Sequence, residues 1–205
     1  PDYLDLIDLF RDETDLNVWT TVIISSHHLH RILDDVQERL FQERIRAVFD
    51  PALQRLTWSP KEGETELERQ LRGDVINALG TVGEDRACQQ RARELYAQYE
   101  KDPTSVERNL VPALVSIVAH TGGGADCDKF YTRFKNAQTP QEETRYLFAL
   151  GAFRQPDLID RTLQMTISGE VRTQNAPYLM RGILLNKDAR EKAWSFMKAH
   201  WEEML

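Results

Sequence analysis

Cysteine is almost missing from this chain: 205 residues carry two, Cys88 and Cys127. Their spacing matches no zinc or redox motif, and two are too few for a disulfide framework. They read as reduced, partly buried thiols of a cytoplasmic protein. Long apolar runs are missing as well. No segment approaches the roughly 18 consecutive apolar residues that mark a membrane-spanning helix, so no membrane partner is expected. A basic surplus is also lacking. The 26 Lys and Arg stand against 33 Asp and Glu, giving a net charge of −7 and a pI near 5.3. Nucleic acid is therefore not expected as a main partner, because phosphate binding needs clustered cations. The zinc-hydrolase motif H-E-x-x-H occurs nowhere. Gly122-Gly123-Gly124 is followed by Ala125-Asp126-Cys127, not by the Lys and Ser or Thr of a phosphate-cradling loop, so it reads as a helix terminator and hinge. Strand signals are nearly absent. The chain opens on Pro1-Asp2-Tyr3 with no Met and no basic, apolar leader, which reads as a cut inside a longer protein.

Helical periodicity fills the rest. Tyr3, Leu6, Ile7, Leu9 and Phe10 mark a short amphipathic helix over 1–13. A second over 16–33 is capped by Asp15, and a third over 34–58 carries Leu40, Phe41, Ile45, Val48 and Phe49 on its stripe. Pro51 predicts a kink or break near Asp50, because it lacks an N–H and crowds the preceding turn. A fourth helix over 64–79 runs through Leu67, Leu71, Val75, Ile76 and Leu79. Gly80 and Gly83 bracket its end as C-cap glycines. A fifth over 84–101 points Ala87, Cys88, Ala92, Leu95, Tyr96 and Tyr99 inward. A sixth over 105–120 begins late or bends at Pro112. Shorter helices follow over 126–136, from Thr139-Pro140, from Gln155-Pro156, over 173–185 and from Asp188. The loops of two to six residues suit antiparallel neighbours. The fold class is all-α: an α-solenoid of antiparallel helix pairs, a HEAT- or armadillo-like right-handed superhelix, in one domain over 1–205.

Two clusters bear on function. His27, His28 and His30 sit on the second helix; His27 and His30 share a face. Two imidazoles without further ligands are not a metal site, so these read as helix-surface or core histidines. The last helix places Trp194, Met197, Trp201 and Met204 at i, i+3, i+7 and i+10, one apolar stripe. Two Trp on one face predict a docked terminal helix with both rings buried.

The tail Arg172-Thr173-Gln174-Asn175, then Ala189-Arg190, then Ala193-Trp194-Ser195-Phe196 and Trp201, resembles the C-terminal domain of gluzincin zinc aminopeptidases of the aminopeptidase N and puromycin-sensitive type. Asn175 and Ala189 stand where Asp and Gly are usual. Leu71-Arg72 through Gly80, Ala92-Arg93-Glu94-Leu95-Tyr96, Glu142-Glu143 with Leu147-Phe148-Ala149-Leu150, and Leu9-Phe10 through Trp19 fit other helices of that family, in order. The resemblance implies the C-terminal domain of a zinc aminopeptidase that removes N-terminal residues from peptides. That domain would close over the active site and restrict and line peptide access. Its partners would be the enzyme's own catalytic domain and the peptide substrate. Zinc is expected in that catalytic domain and no cofactor in this chain, which alone should not cleave peptides. Arg172, Gln174, Tyr178 and Arg181 are candidates to face the peptide. The structural alternative for Arg172 is capping helix carbonyls or pairing with Glu170 or Asp188. The rival to the whole reading is a free-standing HEAT-like scaffold binding a protein partner. A domain cut from an enzyme would expose an apolar patch near its first helices.

Overall fold

The computed structural model describes residues 2–204, so Pro1 and Leu205 lie outside the described residues. Among these residues there are twelve helices and no strand. They are α1 Asp2–Asp8, α2 Leu16–Ile32, α3 Asp35–Leu56, α4 Glu66–Thr81, α5 Arg86–Lys101, α6 Val111–Thr121, α7 Gly124–Lys135, α8 Pro140–Leu150, α9 Pro156–Met165, α10 Ala176–Leu185, α11 Arg190–Ala199 and α12 Trp201–Met204. The all-α class holds. The chain divides into two compact units, 1–117 and 118–205, with the division inside α6.

In the first unit, side-chain caps set the helix starts. Asp15 accepts from Asn17 N at 2.7 Å and starts α2. Asp34 with Gln37 and Thr65 with Glu68 form reciprocal capping boxes on α3 and α4. Asp85 accepts from Cys88 N at 2.7 Å and starts α5. Trp19 and Phe49 meet edge to face at 5.0 Å in the core, where Ile45, Val48, Leu71, Ile76 and Leu79 are also buried. The buried indole donates to the carbonyl of Glu13 at 2.9 Å, and Arg55 donates to that same oxygen. The Glu13 carboxylate accepts from Thr14 N and Asp15 N at 2.6 and 2.8 Å. Glu13, Thr14, Asp15 and Trp19 thus work as one device fastening the turn before α2.

Several expectations change. Helix α3 passes unbroken through Pro51. Ala52 and Leu56, beyond the proline, are buried, and that burial holds the helical end although the Ala47 carbonyl loses its donor. Gly80 is not a cap. It lies within α4, and a Cβ there would stand 2.5 Å from Ile117 Cδ1, so glycine is needed for close packing. Ala87 is exposed on the outer face of α5, and Leu40 and Leu67 are exposed too. Helix α6 begins late, at Val111 with Pro112 in its first turn, where no N–H is required.

In the second unit, α7 and α8 pack as a helix hairpin closed by residues 136–139. Phe130 sits at its centre, edge to face with Tyr146 at 5.2 Å and Phe153 at 5.8 Å. Thr139 caps α8, with Pro140 in its first turn. Asn186 donates to the carbonyls of Gly151 and Phe153 at 3.1 and 2.9 Å, tying the end of α10 to the turn after α8. Helix α10 starts at Ala176, later than expected, because Asn175 N and Ala176 N bond the Arg172 carbonyl in a turn. The terminal helix departs most. It breaks at His200 into α11 and α12, and its buried residue is Ala193, with Ala189 buried just ahead of it. Trp194 is 53% exposed and Trp201 52%. The expected burial of both rings is therefore wrong: small alanines make the close contact, and the aromatic stripe is left largely uncovered by the described residues.

Candidate functional site

The segment of the four candidates begins in the loop 166–173 and continues along α10. Two contacts fasten this loop. Tyr131 on α7 donates its hydroxyl to Glu170 at 2.6 Å, a bond to a carboxylate that pushes the phenol above its ordinary range. Arg161 of α9 lies over the Tyr131 ring at 4.8 Å. Two residues on, Arg172 pairs with Glu143 of α8 at 3.0 Å. The partner of Arg172 is thus neither Glu170, which Tyr131 takes, nor Asp188, which Arg154 holds at 2.6 Å. The pairing unites two stretches that had looked separate in the sequence, the Glu142-Glu143 start of α8 and the Arg172 tail. The Glu143 side chain is mostly buried while that of Arg172 stays largely open to solvent. A fixed carboxylate orienting an accessible guanidinium suits recognition of an outside anion as well as fastening.

The other candidates spread around the start of α10. Gln174 is exposed. Tyr178 is exposed and leans on Phe148 with ring centroids 6.4 Å apart. Arg181, one turn further, borders a cleft of about 440 Å³ between the loop, α10 and α11–α12. Ile167, Val171, Met180, Leu184, Met197 and Trp201 supply most of its apolar wall. Sequence reasoning missed this cleft. Its signal is the Met and Trp stripe of the terminal helix, which forms one wall of an opening and not a face packed inward.

The remaining candidates are placed elsewhere. His28 Nδ1 lies 2.8 Å from the Ile24 carbonyl and His30 lies 3.4 Å from Glu38, so each has its own local partner. Among the described residues no group of three or more His, Cys, Asp or Glu is placed to hold a metal ion. Cys88 and Cys127 are free and buried. Burial, then Asp85 and Asp50, push the Cys88 thiol up to about 12, and burial raises Cys127 too. Neither is an activated nucleophile. Arg72 is fully buried, donating to the Leu56 carbonyl at 3.1 and 3.0 Å and the Thr57 carbonyl at 3.0 Å, and it is paired with Glu64. It closes the C-terminal end of α3, where a cation also meets the helix dipole favourably, so its work is architectural.

Fold and segment together define an all-α helical module in which, among the described residues, no cluster of His, Cys, Asp or Glu is placed to hold a metal ion. The chain matches the family described as ERAP1-like C-terminal domain over residues 1–205, and it belongs to that family. It is 28% identical to Aminopeptidase M1 of Arabidopsis thaliana, an alignment covering 97% of this chain and 23% of that protein. It is 27% identical to the alanine/arginine aminopeptidase of Saccharomyces cerevisiae, covering 98% and 24%, and 26% identical to Aminopeptidase M1-B of Oryza sativa subsp. japonica, covering 98% and 24%. The chain spans about a quarter of the length of these relatives.

Proposed function

We propose that this chain is the non-catalytic C-terminal helical domain of a zinc aminopeptidase, acting as one domain over 1–205. It closes over the catalytic domain and restricts and lines the path of the peptide. The chain-long match to aminopeptidase relatives carries this reading. An apolar surface on the first helices supports it: Leu6 on α1, Ile24 and Ile32 on α2, and Val36 and Leu40 on α3 are exposed, as a surface that meets another domain would be. Each unit is built from packed helix pairs of the HEAT-like kind. Zinc and its general base belong to the catalytic domain, and the chain alone releases no amino acid from peptides. The two buried free thiols fit the cytoplasm. No helix among the described residues is long and apolar enough to cross a membrane.

Within this reading Arg172, Gln174, Tyr178 and Arg181 form the peptide-facing segment, with Arg172 oriented by Glu143. The test is steady-state kinetics of the parent enzyme. Arg172→Ala is expected to raise KM for an acidic peptide about tenfold with kcat nearly unchanged, the pattern of a lost binding contact. Glu143→Ala leaves the guanidinium in place and is expected to cost less. Equal losses of melting temperature in both variants, with KM unmoved, would show that the pair only fastens the loop.

A further inference from the structure

We propose that the outer face of α1–α3 is a docking surface for a basic amphipathic helix, one that carries Lys and Arg beside an apolar stripe. The proposal rests on the reading above, in which this surface meets another domain, and adds the chemistry of what docks there. Apolar exposure is greatest on this face. Leu9 is 77% exposed, Ile32 74% and Leu40 65%, the three most open large apolar side chains among the described residues. On α2, Ile24, His28 and Ile32 are all exposed and stand four residues apart, so they share one side of the helix. Helix α3 follows directly, with Val36 and Leu40 exposed one turn apart. One turn beyond Leu40, Arg44 pairs with Asp5 at 2.9 Å and with Asp8. These pairs bring α1, with its exposed Leu6, beside the row on α3. Aliphatic side chains grouped in this way gain by being covered.

Charge selects what covers them. Residues 1–50 hold eleven Asp and Glu against five Arg and no Lys, a net charge of −6 out of the chain's −7. Local structure uses part of this. Asp15 and Asp34 cap helices, and Asp5 and Asp8 pair with Arg44 and Arg11. Asp12, Asp35 and Glu43 are exposed, and among the described residues no ion pair or hydrogen bond engages them. Arg39 is an exposed cation in the same condition. Three open carboxylates against one open guanidinium leave the face acidic. A second copy of the chain would set like charge against like, and an anionic lipid surface would be repelled in the same way. A purely basic surface would leave the aliphatic side chains wet. A helix with an apolar stripe flanked by Lys and Arg matches both features.

The experiment titrates the 205-residue chain into three fluorescently labelled peptides of one length and follows anisotropy. One is a Leu/Lys amphipathic helix, one its Leu/Glu counterpart, and one a Ser/Lys peptide without an apolar stripe. The Leu/Lys peptide is expected to bind saturably, and the other two at least tenfold more weakly. Raising NaCl from about 50 to about 500 mM is expected to weaken the Leu/Lys peptide at least fivefold, because exposed charges are screened. Val36→Ser with Leu40→Ser should weaken it about tenfold. Asp35→Asn with Glu43→Gln should weaken it several-fold and flatten the salt dependence. Asp157→Asn with Glu202→Gln removes two exposed carboxylates from the second unit and should leave binding unchanged. Every substituted side chain is exposed, and far-UV circular dichroism identifies any variant that has lost its helices. Equal affinity for the Leu/Lys and Leu/Glu peptides, equal losses from the two charge-removing pairs, a Val36→Ser, Leu40→Ser variant that binds as the parent does, or no saturable binding would each overturn the proposal. Failure of the aminopeptidase reading would show in the size and zinc dependence of the native protein, not in these titrations, so the two failures are distinguishable.

Discussion

Four tryptophans share one chemistry and differ in what surrounds them. Trp19 is fully buried, edge to face with Phe49, and its indole N–H is satisfied by the Glu13 carbonyl. Trp194 and Trp201 are each more than half open to solvent. Trp19→Ala is therefore expected to cost about 3–5 kcal/mol through a core cavity, while Trp194→Ala costs under about 1 kcal/mol, since exposed truncations remove little packing. Urea denaturation of the two variants checks the contrast, and equal losses would contradict it. Periodicity put Trp194 and Trp201 on one face of a single helix, but the helix breaks at His200 between them, and period alone does not say what covers a face. Arg72 taught a similar lesson. Its place in a Leu-Arg pair was visible in the sequence, whereas its burial against the Leu56 and Thr57 carbonyls depends on a helix end sixteen residues earlier.

Helix starts were legible because they are local. Asp15, Asp34 and Thr139 each sit within three residues of the N–H they cap. Helix ends were less so, because distant packing decides them. Gly80 looked like a terminator, but its lack of a side chain lets α4 approach Ile117. Gly80→Ala is expected to destabilise by about 1–3 kcal/mol, the cost of overpacking, although alanine favours helix more than glycine does. A gain in melting temperature would mean that α6 yields easily. Helix α4 also carries Asp74, a half-buried carboxyl pushed above its ordinary range by burial. Its ionised form is disfavoured in the folded chain. It therefore imposes no penalty below the ordinary carboxylate pKa and destabilises as pH rises through the raised value. Asp74→Asn is expected to raise the melting temperature at pH 7, with the gain fading as pH falls below about 4. A gain that persists unchanged at pH 3 would contradict that account.

The family resemblance was legible over the whole chain because its motifs are structural devices: Glu13-Thr14-Asp15 with Trp19 before α2, Arg72 at the end of α3, and Glu143 with Arg172 in the second unit. The candidate site was legible only in part. Arg172, Gln174, Tyr178 and Arg181 are close in sequence, but the cleft beside Arg181 needs the 166–173 loop and the terminal helix, brought together by folding. The all-α chain offers apolar surface on α1–α3 and a cationic segment in its second unit, and its relatives are aminopeptidases about four times its length. The most direct test is the size of the native protein in its source cells, detected with an antibody against this chain. A species several times larger than 23.8 kDa, co-purifying with aminopeptidase activity that chelation removes and zinc restores, is the predicted result. A species of 23.8 kDa with no such activity would contradict the account and leave a free-standing helical scaffold in its place.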